Sequence, residues 1–477
     1  MSQRESTTAV SSEEATEIPA SGAKSKKADI NILKVRDDHV PLEFVADGDK
    51  FKLDADLKPS WLSSEEFGQK ELRNRIEPWL TSLFQSEHLS LLAGSGLTHA
   101  VHYLAAEKSA AGMGALTLSN YMDEINQAAK NAAKEAGRKE GNLEDQLRVA
   151  NELLRGLQIM KKTVEAAALQ AELEAGMGAF AQSILNSELG IAAADEAKRE
   201  QAFNTLVTFL MSFASRTGVR DRLNIFTTNY DRLIEAGAEL AGLHLLDRFL
   251  GNLMPIFRSS RLDLDMHYNP PGIRGEPRYL EGVARYTKLH GSVDWVQTGK
   301  DIRRIGLPFG AASVDPYLQA PGFGGSTAHK LMIYPNAAKD RETADYPYVE
   351  LFRDLAAAVC RPNSTLVTYG YSFGDEHINR VIRDMLTIPS THLVVISYDD
   401  PLDRIMQTYN EMGRPSQISL LIGPALADLA TLTENYLPKA AIDKTTFRMS
   451  ELLKQRWGTE EHKPVKKADE NDISDLI

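Results

Sequence analysis

Three times along this chain a short apolar strand runs into a glycine-rich or polar turn and then straight into a helix. Residues 88–93 lead through Gly94-Ser95-Gly96-Leu97-Thr98 into a helix ending near residue 107. Residues 223–226 lead through Thr227-Thr228-Asn229-Tyr230-Asp231 into a helix over 232–242. Residues 365–369 lead through Gly370-Tyr371-Ser372-Phe373-Gly374-Asp375-Glu376 into a helix over 377–386. Continuous apolar strands that each feed a helix belong to a parallel sheet covered on both faces. Further strands are expected at 285–289, 330–334 and 392–397, with 418–422 as an edge strand. The expected fold is α/β, a Rossmann-like, doubly wound parallel sheet. Ligands of such sheets bind outside the carboxyl ends of the strands. If the three turns share one sheet edge, one site receives all of them.

Composition narrows the function classes. The net charge of -12 argues against a general nucleic-acid binder, which needs clustered Lys and Arg, so no direct sequence-specific nucleic-acid contact is expected. The single cysteine, Cys360, permits neither a disulfide framework nor a zinc-ribbon quartet within one chain, which suits a reducing cytoplasm. No run approaches the ~20 apolar residues of a membrane span. The N-terminus carries Glu5, Glu13 and Glu14 and no apolar core of a signal peptide. The expectation is a cytoplasmic protein with no membrane partner.

The remaining segments divide by composition. Residues 1–29 lack large apolar side chains and read as a disordered tail. Residues 30–64 form an arm, read as a β-hairpin turning at Ala46-Asp47-Gly48-Asp49. Residues 65–107 and 201–400 carry the α/β pattern, opened by a helix over 65–86. Between them, 108–200 is a helical insertion of about three helices, with Leu143, Leu147, Ala150, Leu154 and Leu157 in one stripe. Such a stripe is the buried face of a helix pair or, less commonly, an oligomer seam. The stretches 247–285 and 298–330 read as loops rich in Gly and Pro; the second is long enough to be a lid. Residues 401–462 form a C-terminal extension with the edge strand and helices, and 463–477 a flexible tail.

Read singly, each motif has a structural explanation. Gly94-Ser95-Gly96 could be a tight turn. Asn229 suits a helix N-cap. His290 could be a strand-end residue satisfied by backbone, and Asp375 and Glu376 favour the first turn of a helix. In order, however, Gly94-Ser95-Gly96, Thr228-Asn229-Tyr230-Asp231, His290-Gly291-Ser292 and Gly370 to Asn379 resemble the sirtuin superfamily. They are most similar to the SIR2-like domains of bacterial NAD-depleting anti-phage defence systems. The resemblance covers residues 89–398, interrupted by the insertion.

That resemblance implies NAD as substrate. Gly94, Ser95 and Gly96 would cradle its pyrophosphate at a helix N-terminus. Asn229 would stand beside the nicotinamide ribose and position a water or hydroxyl. Asp231 would hold that loop or bond near the nicotinamide. His290 would be the general base, for which an unperturbed pKa of ~6.5 is well placed. Ser372 would bind the adenosine side, with Gly370 and Gly374 making room, and Thr98, Thr228 and Phe373 would complete the cofactor contacts. The residues suit that chemistry. Cleaving the nicotinamide–ribose bond passes through an oxocarbenium-like centre, as glycoside hydrolysis does. The leaving group is already cationic, so no strong acid is required.

The departures matter equally. Deacylase sirtuins carry a zinc module built from CxxC pairs; here the helical insertion takes its place and no metal or zinc is expected. The glutamine of the family's TQN motif is Thr228, and the next position but one is Tyr230 where an Ile is usual. The expected activity is therefore that of an NAD⁺ glycohydrolase (an NAD⁺ nucleosidase) in anti-phage defence, releasing nicotinamide and ADP-ribose. Family analogy implies a homo-oligomer controlled by a HerA-type ATPase partner. The competing readings are a catalytically quiet NAD- or ADP-ribose-binding regulatory subunit, and an NAD-dependent deacylase or ADP-ribosyltransferase.

Overall fold

The computed structural model describes residues 30–54, 58–110, 116–135, 143–215, 221–259, 264–269, 271, 278–298, 300–323, 331–333 and 346–439. The tails at 1–29 and 463–477, Gly275-Glu276-Pro277, residues 324–330 and Pro335 lie outside them.

Four arm strands come first: β1 (Ile30–Lys34), β2 (Leu42–Asp47), β3 (Lys50–Leu53) and β4 (Glu66–Phe67). β5 (His88–Ala93), β6 (Leu223–Thr227) and β7 (His244–Leu246) follow. The stretch read as loop holds the short β8 (Phe249–Leu250), β9 (Ile256–Phe257), β10 (His267–Tyr268) and β11 (Arg278–Tyr279). Then come β12 (Val283–Lys288), β13 (Gly291–Thr298), β14 (Asp301–Arg304), β15 (Leu331–Ile333), β16 (Ser364–Tyr369), β17 (His392–Ser397) and β18 (Ile418–Ile422).

An 11-stranded sheet runs in the order β4-β3-β2-β1-β18-β17-β16-β5-β6-β12-β7. From β18 to β7 every pairing is parallel. The expected Rossmann-like, doubly wound architecture is therefore the one observed. The arm adds to it in antiparallel fashion, with β1 against β18. This corrects one expectation: Ile418–Ile422 is an interior strand, because the arm covers the edge it would otherwise expose. Lys34 anchors the arm by donating from its buried ammonium to the Ile418 carbonyl at 3.0 Å.

Side-chain parity assigns the two faces. Leu223 and Ile225 of β6 join one core, with Leu89 and Leu91 of β5, while Phe226 and Leu92 point into the other. The first face is covered by α1 (Gln69–Phe84), α2 (Ser95–Ala106), α6 (Glu196–Ala214) and α7 (Leu233–Leu240), represented by Leu72, Val101, Leu206 and Ile234. The second is covered by helices Tyr348–Val359 and Glu376–Leu386 through Leu351, Leu355, Ile378 and Ile382. Burial on both faces is why these strands carry apolar residues at both parities, interrupted only by single buried polar residues such as Ser90 and Asn224.

The insertion is helical, as its composition implies: α3 (Met122–Glu135), α4 (Leu143–Ile159) and α5 (Thr163–Ala192). The stripe through Leu143, Leu147, Ala150 and Leu157 is buried within the chain. It shares a third core with Val293 and Val296, from a second sheet of order β15-β13-β14-β9-β8, and with Ile305 just beyond β14. Part of the expected 298–330 loop is thus strand β14 of this small sheet.

One core histidine makes stability depend on pH. His392 on β17 stacks edge-on against Trp79 at 5.5 Å and contacts Ser419 Oγ at 2.8 Å. Burial, and then the charge of Lys34, push its pKa down to about 4. The folded chain therefore binds this proton less readily than the unfolded chain. The resulting stability is complete above the unfolded pKa of ~6.5 and is lost as pH falls through the folded value. By pH ~5 the loss should be about 2 kcal/mol. Urea midpoints between neutral pH and pH ~5 check this: His392→Gln should flatten that part of the dependence.

Candidate functional site

Because β16, β5, β6 and β12 are adjacent and parallel, the turns after them emerge side by side at one edge. The chain leaves β5 towards β6 and returns through β16 on the other side. The β5–β16 boundary is therefore the place where winding reverses and a crevice opens.

The glycines of two turns meet at that boundary. A Cβ on Gly94 would lie 2.4 Å from the Gly370 carbonyl oxygen, and one on Gly96 would lie 2.5 Å from Gly370 Cα. Gly370 itself has φ +59°, in the left-handed region where glycine is unstrained. The Gly94 N–H donates to the Tyr369 carbonyl at 2.9 Å and the Gly96 N–H to the Gly370 carbonyl at 3.0 Å. These glycines therefore clamp the two turns together, and their own N–H groups are engaged in doing so. The exposed Ser95, at the first position of α2, is what the clamp presents at a positive helix end.

Asn229 and Asp231 close against the same turn. The buried Asn229 amide donates from Nδ2 to the Gly94 carbonyl at 2.9 Å and to Thr98 Oγ1 at 3.0 Å. Thr98 donates in turn to Asp231 Oδ2 at 2.6 Å. Asp231 Oδ1 accepts from the Leu233 N–H at 3.0 Å, at the start of α7. Lys288 on β12 donates to the Asp231 carbonyl and pairs with Glu235 Oε1 at 3.0 Å. Asp231 thereby ties the turn after β6 to α2 and α7. Thr228 is half-buried, and its N–H donates to the Ala93 carbonyl at 3.3 Å.

His290 follows β12 directly and is 8% exposed. Its Nε2 lies 2.8 Å from Asp375 Oδ2. With a carboxylate there, Nε2 carries the proton and Nδ1 is the ring nitrogen able to accept one. Asp375 does two jobs. Its Oδ1 also accepts from the His377 N–H at 3.0 Å, so it is the N-cap of the helix in whose first turn sequence reasoning places it. The second job, orienting His290, joins residues 85 positions apart. Only the position of Asp375 at the end of a glycine turn hinted at it.

The rest of the turn after β16 is mixed. Ser372 is half-buried at the crevice. The Cβ position of Gly374 lies 3.5 Å from Ser372 Oγ and 3.4 Å from Arg404 Nη1. Arg404, which sequence reasoning passed over, thus brings a guanidinium to this turn, the group best shaped for a phosphate. Phe373, expected to contact the cofactor, is instead buried in the second core beside Tyr371, ring centroids 4.9 Å apart, with φ +54°. Tyr230 is buried between the insertion and the site, edge-on to Phe180 at 5.7 Å and 6.2 Å from the His290 ring.

Comparison with known families supports the sirtuin-like superfamily: residues 223–413 match the family model of the SIR2-like domain. The matched segment runs from β6 through the helix Arg404–Met412 and contains Asn229, His290, Asp375 and Arg404. The Gly94-Ser95-Gly96 turn precedes it. SIR2-like domains bind NAD, which makes an NAD-related activity the family-level statement. No curated protein matches the chain. No helix among the described residues is long and apolar enough to cross a membrane.

Proposed function

We propose that the chain is an NAD⁺ glycohydrolase. The observation that carries this reading is the arrangement of Asn229 and the His290–Asp375 pair at the ends of neighbouring parallel strands, beside the clamped glycine turns. In this reading the pyrophosphate lies over the α2 N-terminus at Ser95, with Ser372 and Arg404 on its other side. Asn229 meets the nicotinamide ribose with its Oδ1, since Nδ2 is committed to Gly94 and Thr98. The C1′–N bond breaks with its electron pair passing to the nicotinamide nitrogen, which becomes neutral. A water oxygen bonds to C1′, and its proton goes to His290 Nδ1. Asp375 stabilises the imidazolium that results. Asp231 and Thr98 hold the loop in place.

The biological setting proposed with it is NAD depletion in cytoplasmic anti-phage defence. The chain would act as a homo-oligomer held in check, or released, by a HerA-type ATPase. An enzyme that destroys NAD⁺ needs such control.

The test is incubation of the purified chain with NAD⁺, alone and together with the ATPase, following nicotinamide and ADP-ribose by chromatography. One-to-one release is expected, with loss of at least ~10²-fold in Asn229→Ala, which removes a positioned polar group. Saturable NAD⁺ binding with no nicotinamide release in either condition overturns the hydrolase reading and supports a binding subunit.

A further inference from the structure

A cavity of about 770 Å³ opens between α7, β7, β12 and residues 305–309. Sites for small organic ligands have this size. None of Gly94, Ser95, Asn229, His290 or Ser372 lines it.

Its walls are acidic beyond what local cations match. Glu235, Glu239, Asp247 and Asp294 face it, against Arg232 and Arg304. Arg232 is committed to Glu188 outside the cavity and to the Leu307 and Pro308 carbonyls. Arg304 pairs with Asp247 at 2.6 Å, and Lys288 pairs with Glu235. Asp294 and Glu239 then form no salt bridge among the described residues. Their two charges are the surplus.

Buried polar atoms line the same space. Asp294 Oδ1 has no hydrogen-bond partner among the described residues, and Glu235 Oε2 and the Tyr286 hydroxyl are buried on the same walls. Asp294 is 6% exposed and Tyr286 4%. The Tyr286 hydroxyl stands against the Glu235 carboxylate, close enough to hydrogen-bond it, so Asp294 Oδ1 is the atom here left without a donor. An unmade bond at a buried polar atom costs roughly 1–3 kcal/mol, more for a charge. A buried carboxylate oxygen at the wall of a cavity is completed by an occupant that donates.

The donor must be cationic, to match the surplus acid. A bare metal ion is a poor fit, because it needs several ligands converging on a point. Among the described residues no group of three or more His, Cys, Asp or Glu is placed that way. Ammonium or guanidinium groups on a short carbon chain fit better. Their N–H groups reach separate acceptors, and the stem can lie along Leu243, Leu245 and Pro255 in the same wall.

We propose that this cavity is a second small-molecule site, for an organic cation of diamine size. Its N–H groups donate to Asp294 and Glu235. Occupancy also reaches the Asn229 loop through one side chain, since Lys288 joins Glu235 to the Asp231 carbonyl.

The test is titration calorimetry of the full chain with 1,4-diaminobutane, in the absence of NAD⁺, so its outcome is independent of any hydrolase activity. Saturable binding is expected, with a thermal midpoint that rises with ligand concentration. Sodium chloride at matched ionic strength should leave that midpoint unmoved. Asp294→Asn and Glu235→Gln keep side-chain shape and should each weaken binding by about tenfold or more. Either variant suffices if the other fails to fold. The proposal is overturned if millimolar diamine gives no saturable heat, if salt alone reproduces the midpoint shift, or if a folded variant binds as the wild type does.

Discussion

Replacing His290 with alanine is expected to slow nicotinamide release by about 10²–10⁴-fold, the usual worth of a positioned general base. In the proposed mechanism the loss falls on kcat, because there the imidazole acts on the attacking water and contributes little to holding the dinucleotide. Asp375→Asn gives the graded companion. It preserves the size of the side chain, but an amide in place of the carboxylate no longer favours the Nε2–H tautomer and no longer stabilises the imidazolium. Asparagine can still cap the helix through the His377 N–H, so the fold should survive. Steady-state kinetics with a pH profile separates the roles: Asp375→Asn should lower kcat and move the rising limb, while a purely structural residue would change stability alone. A His290→Ala variant with wild-type kcat would remove the general base from the mechanism.

How far the sequence carried this reading depends on the range of the contacts involved. β6, β16 and β17 were legible because a parallel strand buried on both faces is rich in apolar residues on both, as Leu223, Ile225 and Phe226 and the run Leu393 to Ile396 show. The gathering of Asn229, His290 and the glycine turns at one edge followed from the parallel alternation itself. β13 was not legible. Its buried face includes Ser292 and Asp294, and what buries it is partly the insertion, folded from residues more than a hundred positions earlier. The interior position of β18 depended on the arm in the same way, through Lys34 and Ile418. The pairing of His290 with Asp375 was hidden because Asp375 had an adequate local explanation at the start of a helix, where it serves as the N-cap. The glycines read as a phosphate cradle turned out to be held by each other, a backbone contact that no motif announces.

Glu188→Ala should destabilise the fold by about 3–5 kcal/mol, although Glu188 lies in the insertion, far in sequence from the site. Glu188 on α5 is 1% exposed. Its Oε1 accepts from the Arg232 N–H at 2.8 Å and from Arg232 Nε at 3.2 Å, and its Oε2 pairs with Nη2. Arg232 immediately follows Asp231 and also donates to the Leu307 and Pro308 carbonyls. One side chain thus ties the insertion, the loop bearing Asn229 and residues 305–309 together. Alanine would leave a buried guanidinium with carbonyls but no counter-charge, the costly half of a broken pair. Urea denaturation at unchanged slope measures the loss as a fall in midpoint. A double variant, Glu188→Met with Arg232→Met, tests the mechanism. Removing both charges should recover part of the stability lost by Glu188→Ala, and the recovery should stop short of wild type because the 307 and 308 carbonyls lose their donor. Nicotinamide release should stay low in that double variant, since the loop carrying Asn229 has lost its tether. A midpoint for Glu188→Ala within error of the wild type would mean that this pair does not hold the insertion to the site.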